Sequence, residues 1–266
     1  MRAAEFAYLD HPTPIGLAHR GGAAYRPNVG LENTIAAFRR AVDLGYRYLE
    51  TDVHATSDGR LVAIHDSLLD RVSDGTGAIE ALPWSEVATA RIGGTEPIPL
   101  LSDVLEEFPE VRVNIDVKSD AALGPTVSEV TRLGAKDRVC IGSFAERRIR
   151  ALRAALGPEV ATAAGAVGTA ALRFTPGLLS RLLHTPAPVL QIPAQHRIGG
   201  RTLTLVTPGL VRRAHQSGKH VHVWFHSWSR EDAPEMHRLL DLGADGIVTD
   251  HIDVLRDVFE ERGLQL

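Results

Sequence analysis

The chain has 266 residues, 44% of them hydrophobic, a length that suits one (β/α)8 barrel as readily as two small domains. Lys and Arg number 29 against 33 Asp and Glu, giving a formal charge of −4 with no basic block, which argues against nucleic acid as a partner and against strong attraction to an anionic membrane. No run reaches membrane-spanning length, the N-terminus lacks a signal-peptide core, and Cys140 stands alone in an apolar run; a cytoplasmic protein with no stable membrane anchor and one inert buried thiol is expected, with oligomeric state unspecified.

Ile15 to Ala18 reads as a first short strand. From Asn33 to Leu44, apolar residues at Ile35, Phe38, Val42 and Leu44 have helical spacing, and Gly45 is placed as the stop. Tyr46 to His54 is a second strand, with Glu50 and Asp52 two apart and therefore on one face. Ser57-Asp58-Gly59-Arg60 is a turn signal before a strand-like Leu61 to Ile64. The gap is too short for a crossover helix, so these two runs form an antiparallel hairpin; a turn centred between Asp58 and Gly59 sets Asp52 opposite His65. Ser67 to Pro99 is rich in Gly and Pro and reads as an inserted loop region, with a short helix over Trp84 to Ala90. A helix over Leu101 to Phe108 follows, with Ser102 as its N-cap.

Six further strands are predicted: Val111 to Val117, Val139 to Phe144, Val160 to Ala166, Val189 to Pro193, His220 to Phe225, and Gly246 to Thr249. Helical patterns lie between them around 126–133, 146–156, 176–183, 208–216 and 234–242. Leaving out the hairpin arm, eight strands alternate with helices, which argues for a (β/α)8 TIM barrel: one domain over residues 1–266, with an insertion at approximately 53–100 after strand two. A doubly wound open sheet would call for a Gly-rich dinucleotide turn after the first strand, and His19-Arg20-Gly21-Gly22 is not one.

Sites in such barrels form where strands hand over to helices, so polar residues at strand ends are the candidates. They are His19 and Arg20, Glu50 and Asp52, Asp116 and Lys118, Ser143, Trp224 and Asp250. Glu50 and Asp52 on one face repel unless a cation lies between them, the pattern of a hard-cation site, and the hairpin would add His65 as an acid/base residue. Asp116 with Lys118 reads either as part of this cluster or as an ion pair at the mouth, and His65-Asp66 either as site or as turn. Asp250 reads either as part of the cluster or as an ion-pair partner only; His54, His222 and His226 read as ordinary strand or loop residues. His196-Arg197, in the loop after the sixth strand, reads as solvated, with contact to the far end of a substrate as the alternative. Of Trp224 and Trp228, one is expected to line the pocket.

His19-Arg20-Gly21, Glu32-Asn33-Thr34, Glu50-Thr51-Asp52, Thr56-Ser57-Asp58-Gly59 and His65-Asp66 together resemble the glycerophosphodiester phosphodiesterases. The similarity continues through Asp70-Arg71, Ile98-Pro99-Leu100, Ile115-Asp116-Val117-Lys118, Gly142-Ser143-Phe144, Val223-Trp224 and Gly243 to Asp250, nearly the whole chain in order. The resemblance implies the same barrel and insertion. It also implies one divalent cation, calcium or magnesium, held by Glu50, Asp52 and Asp116; a general acid/base pair of His19 and His65; and Arg20 and Lys118 facing the phosphate. Three positions depart from the family pattern: Leu31 stands where Pro is usual before Glu32, Asp116 where Glu is usual, and Phe225-His226-Ser227-Trp228 where small polar residues are usual.

The expected activity is metal-dependent hydrolysis of a small-molecule glycerophosphodiester to sn-glycerol 3-phosphate and an alcohol, with Trp224 at the substrate. The competing readings are a lysophospholipase D-type barrel acting on lysophospholipids and a non-catalytic barrel that binds a phosphorylated metabolite.

Overall fold

The computed structural model describes residues 2–165 and 186–266. The parallel strands are β1 (Ile15–His19), β2 (Tyr48–Ala55), β3 (Arg112–Val117), β4 (Val139–Gly142), β5 (Ala161–Ala164), β6 (Val189–Pro193), β7 (His220–Trp224) and β8 (Gly246–Thr249). Each pairs with the next, and β8 pairs back onto β1, so the sheet closes as the eight-strand alternation requires. The predicted helix at 176–183 and Ala166 lie outside the described residues.

Alternation along the strands decides what fills each layer. Val113, Ile115 and Val117 on β3 pack outward with Leu101, Leu105 and Val130 of the surrounding helices. Leu17, Tyr48, Cys140, Ala161, Val189 and Val248 pack together as the barrel interior. Cys140 is fully buried and its thiol is pushed well up by desolvation, so it is inert as expected. The N-terminal turns Ala3–Glu5 and Ala7–Leu9 carry Tyr8, whose backbone oxygen accepts the Tyr48 hydroxyl at 2.8 Å.

The interior also holds a polar layer. Gln191 Nε2 on β6 donates to Asn114 Oδ1 on β3 at 2.7 Å. His222 on β7 is 0% exposed and neither ring nitrogen has a hydrogen-bond partner. Its register neighbour is Gly246, where a Cβ would stand 2.7 Å from the imidazole. Burial pushes His222 down to about 3. Unfolding therefore takes up a proton at pH values between about 6.5 and 3, and stability falls with pH through that window by up to about 1.4 kcal/mol per unit. His222→Leu is expected to flatten the pH dependence of urea unfolding there by about one proton; an unchanged slope would refute it.

The segment between β2 and β3 has its own small core of Val62, Ile64, Leu69, Ile79, Val87, Ile92 and Ile98. Its first arm, Leu61–Ala63, runs antiparallel to β2, as expected. The register differs by one residue from the expectation. Val53 pairs with Ala63 and Ala55 with Leu61, so the turn centres on Asp58, and the Ile64 amide donates to the Asp52 carbonyl. His65 leaves the strand and enters the following loop. The helix predicted from Trp84 spans only Trp84–Val87. The helix Leu101–Glu107 is capped by Asp103, whose carboxylate accepts the Leu100 amide, and Ser102 lies inside it rather than capping it.

Two short antiparallel hairpins were not predicted. One pairs Arg91–Ile92 with Glu96–Pro97. The other pairs Gln195–Ile198 with Arg201–Thr204 around Gly199 and Gly200, both at positive φ. His196 and Arg197, read from the sequence as a solvated loop, are exposed as expected but lie on this hairpin.

Candidate active site

At the carboxyl ends of β1, β2, β3 and β8 the chain concentrates charge. Asp52 on β2 and Asp116 on β3 are direct register partners, and Glu50 sits two residues below on β2, opposite His19 of β1. Parallel pairing thus brings His19, Glu50, Asp52 and Asp116 to one mouth, as strand-end spacing anticipated.

Lys118 Nζ bridges the carboxylates, 2.8 Å from Asp52 and 2.7 Å from Asp116. The ion-pair reading of Asp116-Lys118 is therefore realised, and the pair is extended to Asp52. Arg20 Nε lies 3.2 Å from the other Asp52 oxygen. Burial would raise the Asp52 carboxyl, but Lys118 and then Arg20 overcome it and hold the group well below the usual carboxylate range. Glu50 goes the other way: burial, and then the Asp52 charge, hold it up at about 7 against His19, Arg20 and Lys118. Among the described residues, no three His, Cys, Asp or Glu side chains form a metal-ligating group.

The Glu32-Asn33-Thr34 stretch explains why these groups stay put. Glu32 pairs with Arg20 at 3.2 Å and with Arg71 of the insertion at 2.7 Å, tying the loop region to the barrel. Asn33, at φ 59°, donates to Asp52 at 3.2 Å and accepts the Thr51 hydroxyl at 2.8 Å. Thr34 caps the helix Ile35–Asp43, accepting the Ala37 amide. Arg20 itself sits at φ 51°, a left-handed conformation that costs a non-glycine residue about 1 kcal/mol or more and is held by these contacts. Leu31, where the sequence departs from the family pattern, accepts the Thr34 hydroxyl at 2.8 Å through its carbonyl.

The two histidines share one arrangement. His19 Nδ1 meets Asp250 Oδ1 at 2.8 Å, and His65 Nδ1 meets Asp66 Oδ1 at 2.6 Å. Each carboxylate fixes a ring so that Nδ1 carries the proton and Nε2 points away from it. His19 Nε2 lies 3.8 Å from Glu50. Burial alone would lower His19, but Glu50 and then Asp250 outweigh it and raise the imidazole to about 9. His65 is tied to the cluster despite the shifted register: its partner Asp66 pairs with Arg71, which pairs with Glu32, which pairs with Arg20. Asp66 is held down at about 2, chiefly by Arg71. Asp250 is fixed from behind, its amide donating to Glu231 at 2.7 Å.

The ion-pair reading of Asp250 is realised, but its partner His19, the contact of Asp66 with His65, and the Glu32–Arg71 tie were missed by reasoning from strand ends. A signal existed for Asp66, which adjoins His65; for Asp250 it was closure of the barrel, which makes β8 the neighbour of β1.

The other half of the mouth is aromatic. Trp224, half-buried at the end of β7, packs edge-on to Phe144, with centroids 6.0 Å apart. His226 lies 4.5 Å from Trp224 and stacks on Trp228 at 4.9 Å. Lys118 Nζ is 5.5 Å from the Phe144 centroid, so this half adjoins the charged cluster. Trp224 thus lines this side of the mouth through Phe144, and Trp228 is linked to it through His226. No described helix is long and apolar enough to cross a membrane.

Residues 19–254 match the model of the Glycerophosphoryl diester phosphodiesterase family. Over 260 residues the chain is 40% identical to a Mycobacterium tuberculosis protein named probable glycerophosphodiester phosphodiesterase 2, covering 96% of this chain and 94% of that one. The structure of a glycerophosphodiester phosphodiesterase from Agrobacterium tumefaciens superposes with a TM-score of 0.74 at 25% identity, over 92% of this chain and 99% of that one. An Oleispira antarctica phosphodiesterase, solved with the product sn-glycerol-3-phosphate, superposes at 0.73 with 22% identity, over 93% and 97% of the two chains, which speaks to the fold.

Proposed function

We propose, because the chain belongs to the glycerophosphoryl diester phosphodiesterase family, that it hydrolyses glycerophosphodiesters to sn-glycerol 3-phosphate and an alcohol. The observation that carries the mechanism is the pair of carboxylate-held imidazoles, His19 on Asp250 and His65 on Asp66, at one carboxylate-rich mouth.

The oxygen donors of Glu50, Asp52 and Asp116 are of the type a hard divalent cation, calcium or magnesium, would take, though Lys118 rather than a ligating arrangement joins Asp52 and Asp116 here. Asp116 Oδ1 is buried without a hydrogen-bond partner, and burial, then the neighbouring Asp52 charge, holds the Glu50 carboxyl up. Lys118, which bridges the Asp52 and Asp116 oxygens here, would be free to face substrate if those oxygens held the cation instead. When bound, it supplies Lewis-acid neutralisation of a phosphoryl oxygen and helps orient the nucleophile.

The chain's own residues do the rest. Arg20 offers a planar fork and Lys118 a point charge to the phosphate oxygens. One imidazole takes the proton from the attacking oxygen as its bond to phosphorus forms. The other gives a proton to the alcohol oxygen as the second ester bond breaks. Trp224 supplies apolar area beside the leaving group.

The test is incubation with a panel of glycerophosphodiesters, following glycerol 3-phosphate release with and without EDTA. Product release that stops in EDTA and returns with calcium or magnesium supports the reading; undiminished release in excess EDTA removes the cation from it, and no release from any substrate removes the activity.

Asp250→Asn checks the orienting role. It is expected to lower kcat by about 10- to 100-fold. Because Asp250 helps hold the His19 proton, the pH at which His19 loses it moves down in the variant. A variant with a wild-type pH–rate profile would leave Asp250 as a structural partner only.

A further inference from the structure

From residue 160 to residue 230 the chain contains no Asp or Glu, yet it carries eight Lys or Arg. That stretch builds β5, β6, β7 and the hairpin Gln195–Thr204, while Glu32, Glu50, Asp52, Asp66, Asp116 and Asp250 stand on β2, β3 and the loops around β1, β2 and β8, with Glu231 entering from just beyond the stretch. The mouth is thus divided into an acid-rich half, with both proton-transfer histidines, and an acid-free aromatic half.

On the acid-free half, Arg197 of the hairpin lies over the face of Trp228, its guanidinium carbon 4.2 Å from the ring centroid. Trp228 stacks on His226, which contacts Trp224, which contacts Phe144, which lies beneath Lys118. The stack therefore runs from the ammonium next to the phosphate position out to an exposed guanidinium. The other mouth arginines are neutralised: Arg20 by Asp52 and Glu32, Arg71 by Glu32 and Asp66, Arg148 by Asp120. Among the described residues, no carboxylate pairs with Arg197. Of the acids bordering the sector, Glu231 is held by Thr249 and the Asp250 amide, and Glu146 pairs with Arg150 through Oε1 while its Oε2 is buried beside Gly165. His226 Nε2 is buried with no hydrogen-bond partner, leaving a further polar atom in the stack available to a ligand.

We propose that this half of the mouth is the leaving-alcohol subsite, and that Arg197 makes it select alcohols carrying a second anionic group, a carboxylate or phosphate, over those carrying a quaternary ammonium. The inference rests on the phosphodiesterase reading above and adds the charge class of the substrate. A guanidinium lying on an indole keeps its N–H edge free and presents a fork that matches a carboxylate or phosphate. A trimethylammonium head group would meet the same aromatic surface already occupied by a like charge.

The experiment compares kcat/KM for three substrates sharing the sn-glycerol 3-phosphoryl group: glycerophosphoglycerol, whose leaving alcohol is neutral, its terminally phosphorylated form, and glycerophosphocholine. The wild type is expected to favour the phosphorylated form over the neutral one by about tenfold, with choline last. In Arg197→Gln the anionic-to-neutral ratio should fall towards one, and Arg197→Lys should retain part of it. Raising ionic strength should shrink the wild-type ratio, since the hairpin is exposed. Equal ratios in wild type and Arg197→Gln, or choline turned over as well as the phosphorylated alcohol, would overturn the proposal. A wild type inactive on all three would instead overturn the phosphodiesterase reading beneath it.

Discussion

Replacing His19 or His65 with alanine is expected to lower turnover by at least about 10²-fold while the protein stays folded. Neither ring is part of the apolar core: their side chains are 19% and 34% exposed. Removing His65 leaves Asp66 with Arg71, and removing His19 leaves Asp250 held by its neighbours on β8 and by Glu231. A thermal unfolding curve close to that of the wild type, alongside the collapse in kcat, separates loss of proton transfer from loss of fold. Because the two rings act on one reaction, the double variant should be little worse than the poorer single one. Wild-type-like rates in either variant would end the acid/base assignment.

Much of this arrangement is legible in the chain because strand periodicity carries it. The spacing of Glu50 and Asp52 puts both on one face of β2, and the apolar runs bounded by turn signals give the barrel strands. What the period does not carry is register across a turn. Thr56 and Arg60 close the loop around Asp58, the centre moves by half a residue from the simplest guess, and Asp52 faces Ile64 instead of His65. Nor does it carry contacts made by closure. Asp250 is 231 residues from His19, and only the pairing of β8 with β1 makes it that ring's partner. The repulsion expected between Glu50 and Asp52 is met in the structure without an added ion: Lys118 and Arg20 neutralise Asp52, while burial and the Asp52 charge hold the Glu50 carboxyl up. The hairpin Gln195–Thr204 had a signal that was passed over: Gly199-Gly200 between two four-residue runs is a two-residue turn, both glycines at positive φ.

The second large effect is expected at Asp52, which is 1% exposed and is the anion shared by Arg20, Lys118 and Asn33. Asp52→Asn keeps the shape and removes the charge, leaving two partly buried cations without their common partner. Breaking a buried ion pair from one side costs about 3–5 kcal/mol. At roughly 2–4 °C per kcal/mol for a chain of this size, the melting temperature should fall by roughly 6–20 °C, and activity should be lost with it. Asp116→Asn is the control: its side chain is 13% exposed and Lys118 keeps Asp52, so a smaller drop is expected. Adding Lys118→Met to Asp52→Asn should recover part of the loss, because the stranded ammonium is gone, and the coupling in that double-mutant cycle should reach about 1–3 kcal/mol. A melting temperature within about 2 °C of wild type in Asp52→Asn would mean that the mouth does not depend on this anion for its shape, and the carboxylate's purpose would then lie in chemistry alone.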